Sequence, residues 1–283
     1  MAIDIEHLRH WIGNTRTERD VLHVRHAQLM AATVARTAAP LALGDPLPPL
    51  WHWLYFLEGV PARELGRDGH PARGGFLPPV ELDNRMWAGG RLAFDSPLLL
   101  GQEVERRSVV QSVEHKQGRT GDLVFVTVAH ELLVEGLRCV REEHDIVYRR
   151  RSPLETANAD VEAPTPPRDD QRRESWTPDT TQLFRYSALT FNGHKIHYDV
   201  DYCRSVEGYP NLVVHGPLVA TMLAALAQSM APAPLRSFRY RAKRPALLSG
   251  DPITLTGALE ERGAALSARL ASGAESMGAN AQW

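Results

Sequence analysis

The chain has 283 residues, with 34 acidic side chains against 32 basic ones and a formal charge of −2. That balance gives no whole-chain attraction to nucleic acid or to an anionic membrane. Hydrophobic residues at 43% with 23% charged are ordinary globular usage, which argues against disorder, collagen-like repeats and long coiled coils.

At roughly 150 residues per domain the length predicts two domains or one large one. Only Cys139 and Cys203 are present, too few and too far apart for a disulfide framework or a zinc knuckle, so a reducing, cytoplasmic setting is expected. The N-terminus carries Asp4 and Glu6 where a signal peptide would be basic. The most apolar stretch, Leu212 to Leu226, is interrupted by His215, Gly216 and Pro217 and is shorter than the roughly 20 residues of a membrane span.

Taken in order, Arg19 to Arg36 shows a mostly helical spacing of Val21, Leu22, Val24, Leu29, Met30 and Val34, which predicts a helix. Prolines 40, 46, 48 and 49 end it, and the aromatic group Trp51, Trp53, Tyr55 and Phe56 follows without a decisive period. Gly66 to Pro79 is dense in turn formers and reads as loop. From Gly90 the texture is β, with strands predicted at Arg91–Phe94, Val104–Val113, Leu123–Leu133 and Cys139–Tyr148, separated by turn residues. Residues 151–180 combine prolines with a dense run of charges, the composition of a linker. A second block follows, with an apolar helix beginning near Pro217 and strands at Phe238–Lys243 and Pro252–Leu259. The chain after Leu259 is poor in strand formers and is expected to be poorly ordered.

Phe94 to Val104 (FDSPLLLGQEV) echoes Ala242 to Ile253 (AKRPALLSGDPI) at an offset of about 149 positions. A self-match of this kind suggests duplication of one unit.

The densest polar constellation is Tyr186 to Asp199 (YSALTFNGHKIHYD). It places Asn192, His194, His197 and Asp199 in one loop-like segment, where catalytic groups often sit on a rigid scaffold. With twelve histidines in the chain, the same two read first as ordinary surface or partly satisfied groups. With Asp199 and Cys203 they could also be metal ligands, but the spacing matches no standard metal motif and no metal is expected. The second feature is His215-Gly216-Pro217 ahead of a wholly apolar helix. Free N–H groups and the positive end of the helix dipole there could hold a carbonyl oxygen as it gains negative charge.

Thr190 to Asp199 followed by Val214-His215-Gly216 resembles the motif of the MaoC-like, hot-dog-fold enoyl-thioester hydratases, S-G-D-x-N-P-[IL]-H-x-D and later [IV]-[AV]-H-G. On that alignment His197 matches the catalytic histidine and Gly216 the oxyanion-hole glycine. Asn192 replaces the catalytic aspartate, His194 the motif asparagine and Lys195 the proline, and a further serine on the central helix falls at Ala224. Pro48 to Trp53, Gly69 to Pro79 and Arg85 to Gly90 extend the resemblance to the hydroxyacyl-thioester dehydratase type 2 and mesaconyl-C4-CoA or itaconyl-CoA hydratase group.

The resemblance implies an α+β double hot-dog, each half an antiparallel sheet wrapped around a long central helix. Residues 1–150 would be a non-catalytic half that shapes the acyl pocket, 151–180 the linker and 181–283 the catalytic half. It further implies a lyase that adds water reversibly across an enoyl-CoA double bond, with the thioester as substrate, no cofactor, and a monomer or homodimer as the working form. His197 would be the base, Asn192 would position the water, His194 or Asp199 would tune or share the proton transfer, and Gly216 would polarise the thioester carbonyl.

Arg73 is a candidate for binding a free carboxylate on the acyl group. Arg239, Arg241 and Lys243 alternate with apolar residues and would present cations to coenzyme A phosphates, although a solvated sheet face explains them as well. Three other functions remain open: a 3-hydroxyacyl-thioester dehydratase of fatty acid metabolism, a non-catalytic acyl-CoA-binding module, and a metal-dependent hydrolase.

Overall fold

The computed structural model describes residues 3–34, 40–118, 121–150 and 171–283. A short helix α1 (Ile5–Arg9) precedes β1 (Thr15–Val21) and α2 (Val24–Thr33). Then come β2 (Asn84–Phe94), β3 (Glu103–Gly118), β4 (Gly121–Val134) and β5 (Leu137–Arg149). The second run is β6 (Gln171–Trp176), α3 (Thr180–Leu189), α4 (Val200–Tyr202), α5 (Gly216–Met230), β7 (Ser237–Ala242), β8 (Ile253–Glu260), β9 (Gly263–Arg269) and β10 (Glu275–Gln282).

The ten strands form one antiparallel sheet in the order β1-β3-β4-β5-β2-β7-β10-β9-β8-β6. Each run of five has the same internal order, and the two meet where β2 pairs with β7. The echoed segments occupy equivalent places: one leads from β2 into β3, the other from β7 into β8. This is the α+β double hot-dog that the resemblance implies.

Four expectations need correction. The helix expected over Arg19–Arg36 begins only at Val24, because Thr15–Val21 alternates exposed and half-buried positions and pairs along β3. Of the linker expected over 151–180, positions 151–170 lie outside the described residues. The remainder is edge strand β6 paired on β8, followed by the start of α3 capped by Asp179. The chain after Leu259 is not loose but supplies β9 and β10. Its small residues Ala264, Ala268, Ala279 and Ala281 alternate into the core, where they let α5 approach closely; tertiary packing outweighs their weak strand propensity. Lastly, a long central helix occurs only in the second run among the described residues. Its counterpart in the first is the Leu47–Phe56 segment, with a 3-10 turn at Trp51–Leu54 and six buried apolar side chains.

The register decides which side chains share a face. Arg85, Trp87, Gly90 and Leu92 of β2 stand opposite Tyr148, Ile146, His144 and Glu142 of β5. Across the seam Gly90 and Leu92 meet Tyr240 and Phe238. Directly opposed residues lie on one face, and Tyr240 and Phe238 belong to the core built around α5. Arg85, Trp87, His144 and Glu142 therefore point to the inner, helix-covered side. The outer side carries Arg91, ion-paired to Glu143 and Asp145. Gly90 sits at the seam because a Cβ there would come within 2.6 Å of the Tyr240 hydroxyl.

Candidate active site

The site grows from the end of α3. Phe191 takes a left-handed conformation at φ 48° and turns the chain, after which the Asn192 Oδ1 accepts from the His194 N–H at 2.9 Å. A 3-10 turn at Lys195–His197 follows. The Val213 N–H bonds to the Ile196 carbonyl at 2.9 Å, which ties this loop to the strand-like segment leading into α5. His197 is buried, and its Nδ1 lies 2.7 Å from the Val213 carbonyl oxygen. A carbonyl can only accept, so Nδ1 carries the proton and Nε2 is left as a free acceptor.

Three further imidazoles surround it. The His215 ring stacks on His197 with centroids 3.6 Å apart, and Ser187 Oγ is 2.8 Å from His215 Nε2. The His194 ring stands edge-on to His197 at 5.5 Å. His70, from the first run, lies 4.4 Å from His194. Burial holds His197 down to about 3 and His194 to about 4, and keeps His70 and His215 well below the ordinary histidine range. The cluster is neutral at physiological pH.

The two runs close on each other here. The Lys195 N–H donates to the Asp68 carbonyl at 2.9 Å, and Gly69 approaches so closely that a Cβ on it would sit 2.0 Å from the Gly193 oxygen. Gly216 is the first residue of α5, with His215 as N-cap and Pro217 behind it. The leading N–H groups of a helix have no intrahelical acceptor, and beyond the position of a Gly216 Cβ there is open space. A group that gains negative charge beside His197 would meet those donors and the helix dipole.

The sequence-predicted residues divide. His197, His194, Asn192 and Gly216 converge, although Asn192 spends its side-chain oxygen on the loop backbone. Asp199 does not join them: its carboxylate caps α4 by accepting from the Tyr202 N–H at 2.8 Å. Cys203 turns away too, its Sγ 3.3 Å from the Ile196 carbonyl. No three His, Cys, Asp or Glu side chains come together to hold a metal ion among the described residues.

Arg73 is committed to the backbone, donating to the Val80, Leu82 and Asp83 carbonyls. Arg239 and Arg241 are exposed on the outer face, and Lys243 pairs with Glu275 at 2.7 Å, so none of the three is brought to the histidines. His70, Ser187 and His215 were missed as site residues. Each stands within a motif string that carried the resemblance or beside one, but only the fold shows that they meet.

A family model described as hydroxyacyl-thioester dehydratase type 2 matches residues 50–248. The mesaconyl-C(4)-CoA hydratase of Chloroflexus aurantiacus is 44% identical over 239 residues, covering 83% of each chain. The mitochondrial hydroxyacyl-thioester dehydratase type 2 of Schizosaccharomyces pombe is 28% identical over 231 residues, 72% of this chain and 75% of its own. Among solved structures, a MaoC-like dehydratase from Phytophthora capsici superposes with a TM-score of 0.71 at 15% identity, covering 99% of this chain and 98% of that one. A Mycobacterium tuberculosis protein described as having a double hotdog fold gives 0.54 at 13%, over 95% of each chain. At such identities these two speak for the fold. By the extent of the family match and the identity to its relatives, the chain belongs to the hydroxyacyl-thioester dehydratase type 2 family.

Proposed function

We propose that the chain hydrates mesaconyl-C4-CoA reversibly to citramalyl-CoA. Family membership makes it a hydro-lyase of acyl thioesters, and the 44% identity to a mesaconyl-C(4)-CoA hydratase supports this substrate. The observation that carries the mechanism is the bare Nε2 of His197, fixed by the Nδ1 bond to Val213 and set beside the start of α5.

His197 Nε2 takes a proton from water as the water oxygen bonds to the β carbon. The electrons of the double bond shift to the thioester oxygen, and the Gly216 N–H and the helix dipole stabilise the enolate. The imidazolium then returns the proton to the α carbon, so that one water is added in total. A charged His197 is disfavoured by burial, and the enolate charge offsets that cost while both exist. His194 holds the water against His197, and Asn192 shapes the loop that presents both.

Mesaconyl-C4-CoA is conjugated and needs no prior step, whereas itaconyl-CoA would first require a proton shift. Coenzyme A enters as part of the substrate, and no cofactor is needed. One chain supplies both His70 and His197, so a monomer is complete. The buried free thiols of Cys139 and Cys203 suit a reducing, cytoplasmic setting.

The test is hydration of mesaconyl-C4-CoA beside crotonyl-CoA, with His197→Ala as control. Selective turnover of the dicarboxylic thioester, lost in the variant, is expected. Preference for crotonyl-CoA would instead favour a fatty 3-hydroxyacyl-thioester dehydratase, in line with the yeast relative. Saturable binding without turnover would make the chain a binding module.

A further inference from the structure

Arg73 cannot serve as the cation for a free acyl carboxylate, since its donors are spent on backbone carbonyls. A different arginine is unspent. Arg85 stands on the inner face of β2, directly opposite Tyr148 of β5. No carboxylate pairs with it among the described residues. Tyr148 is fully buried, and its hydroxyl proton has no acceptor there. Two residues along on the same face, the Trp87 indole N–H is likewise buried without an acceptor. Interiors rarely leave such donors unpaired, and a run of them on one face asks for an anion or a strong acceptor from outside the chain.

The place is right as well. The loop that carries His70 brings Arg73 over the Tyr148 ring, 5.5 Å from its centroid, and sets the His70 ring against His194. The positive charge of Arg85 is felt at both imidazoles: at His70 it adds to burial in disfavouring the protonated form, and at His194 it adds to burial against the opposing pull of Asp68.

We infer that Arg85 and Tyr148 bind the free carboxylate of the substrate, with the Arg85 guanidinium and the Tyr148 O–H donating to its oxygens, and so select dicarboxylic over simple acyl thioesters. The inference rests on the hydratase reading and extends it to the acyl pocket. In mesaconyl-C4-CoA the carboxylate is attached to the carbon that receives water. A cation close to His194 and His70 meets it while that carbon faces His197.

Crotonyl-CoA has the same thioester and double bond and also carries a methyl on its β carbon, but it has no carboxylate there. The quantity to measure is therefore the ratio of kcat/KM for mesaconyl-C4-CoA to that for crotonyl-CoA, in wild type, Arg85→Gln, Arg85→Lys and Tyr148→Phe. Arg85→Gln should lower this ratio about 100-fold, mainly through KM for the dicarboxylic substrate. Tyr148→Phe should lower it about tenfold, and Arg85→Lys should recover part of the loss. An unchanged ratio, whether both rates fall together or neither falls, would overturn the inference. Tyr148→Phe removes one hydroxyl without altering packing, so it tests the site even where Arg85→Gln fails to fold. If wild type turns over neither thioester, the hydratase reading fails by itself. The dissociation constants of the same two thioesters then decide the matter: a 100-fold preference lost in Arg85→Gln supports the carboxylate site, and equal affinities refute it.

Discussion

The rings of His197 and His215 lie stacked, 3.6 Å between centroids and 18° from parallel, with both imidazoles buried. Two cations at that distance would repel strongly, so at most one of the pair can be protonated.

The pair makes stability depend on pH. Burial, together with the neighbouring His194, brings His197 to about 3, despite the opposing effect of its bond to Val213. In the unfolded chain a histidine titrates near 6.5. Above that pH neither state is protonated and nothing is lost. Between pH 6.5 and 3 only the unfolded chain takes up the proton, so stability falls as pH falls, by about 1.4 kcal/mol per unit for one such group. Urea unfolding at pH 7 and pH 5 should show this loss, and His197→Gln should reduce its slope by about that amount. Equal slopes in the two proteins would mean that His197 is not held neutral by the fold.

Gly69 and Gly216 serve the same site by opposite means. Gly69 has φ 87° and no room for a Cβ against the Gly193 oxygen, whereas Gly216 has neither restriction. Gly69→Ala should cost more than about 2 kcal/mol, from backbone strain and the forced separation of the two loops. Gly216→Ala should unfold at nearly the same urea concentration as wild type and yet hydrate about 100-fold more slowly, as expected when an oxyanion donor is obstructed. A Gly216→Ala variant with full activity would remove the start of α5 from the mechanism.

Strands β3, β4 and β5 were legible because Val104, Val110, Val124, Val126, Val128 and Val140 are β-branched and turn signals bound them. β9 and β10 were not, because Ala264, Ala268, Ala279 and Ala281 are chosen for the approach of α5, a property of the partner rather than of the strand. His197 and Gly216 could be found through their local motif. Asp199 and Arg73 could not be rejected that way, since a capping bond to Tyr202 and three bonds to the backbone of Val80, Leu82 and Asp83 decide their roles, and no motif records them. His70 and Arg85 reach the site only through the docking of one run on the other, which no local spacing records.

Among the described residues Ser187 is the one side chain that bonds to the His215 ring, at 2.8 Å, and His215 Nδ1 has no partner. Ser187→Ala would leave both ring nitrogens of a fully buried imidazole unpaired. A loss of about 1–3 kcal/mol in urea unfolding is expected, with a slower hydration rate as the ring beneath His197 becomes free to turn. If stability and rate are both unchanged, the hydroxyl does not orient the stack.

The first run has its own buried charge. Glu142 is 2% exposed and accepts from three donors: His52 Nε2 at 2.9 Å, Trp53 Nε1 at 2.7 Å and His144 Nε2 at 2.5 Å. Burial alone would raise its pKa, but His144 and His52 outweigh burial and hold the carboxyl well below its usual range. The network joins the Trp51–Leu54 turn to β5, where the second run has its long helix, and so stands in for the packing that α5 provides there. Glu142→Gln keeps the shape but loses the charge and sets an amide N–H against a ring N–H. Breaking a buried pair in this way costs about 3–5 kcal/mol. Because Trp87 and Arg85 share the inner face with Glu142, the damage should reach the acyl pocket, and KM for mesaconyl-C4-CoA should rise along with the fall in urea midpoint. Replacing His52 as well, in His52→Phe with Glu142→Leu, exchanges that hydrogen-bonded contact for an apolar one but leaves the Trp53 and His144 donors without the carboxylate, so it should restore part of the stability but not the KM. A double variant no more stable than Glu142→Gln would show that the orphaned Trp53 and His144 donors, rather than the contact at His52, set the cost.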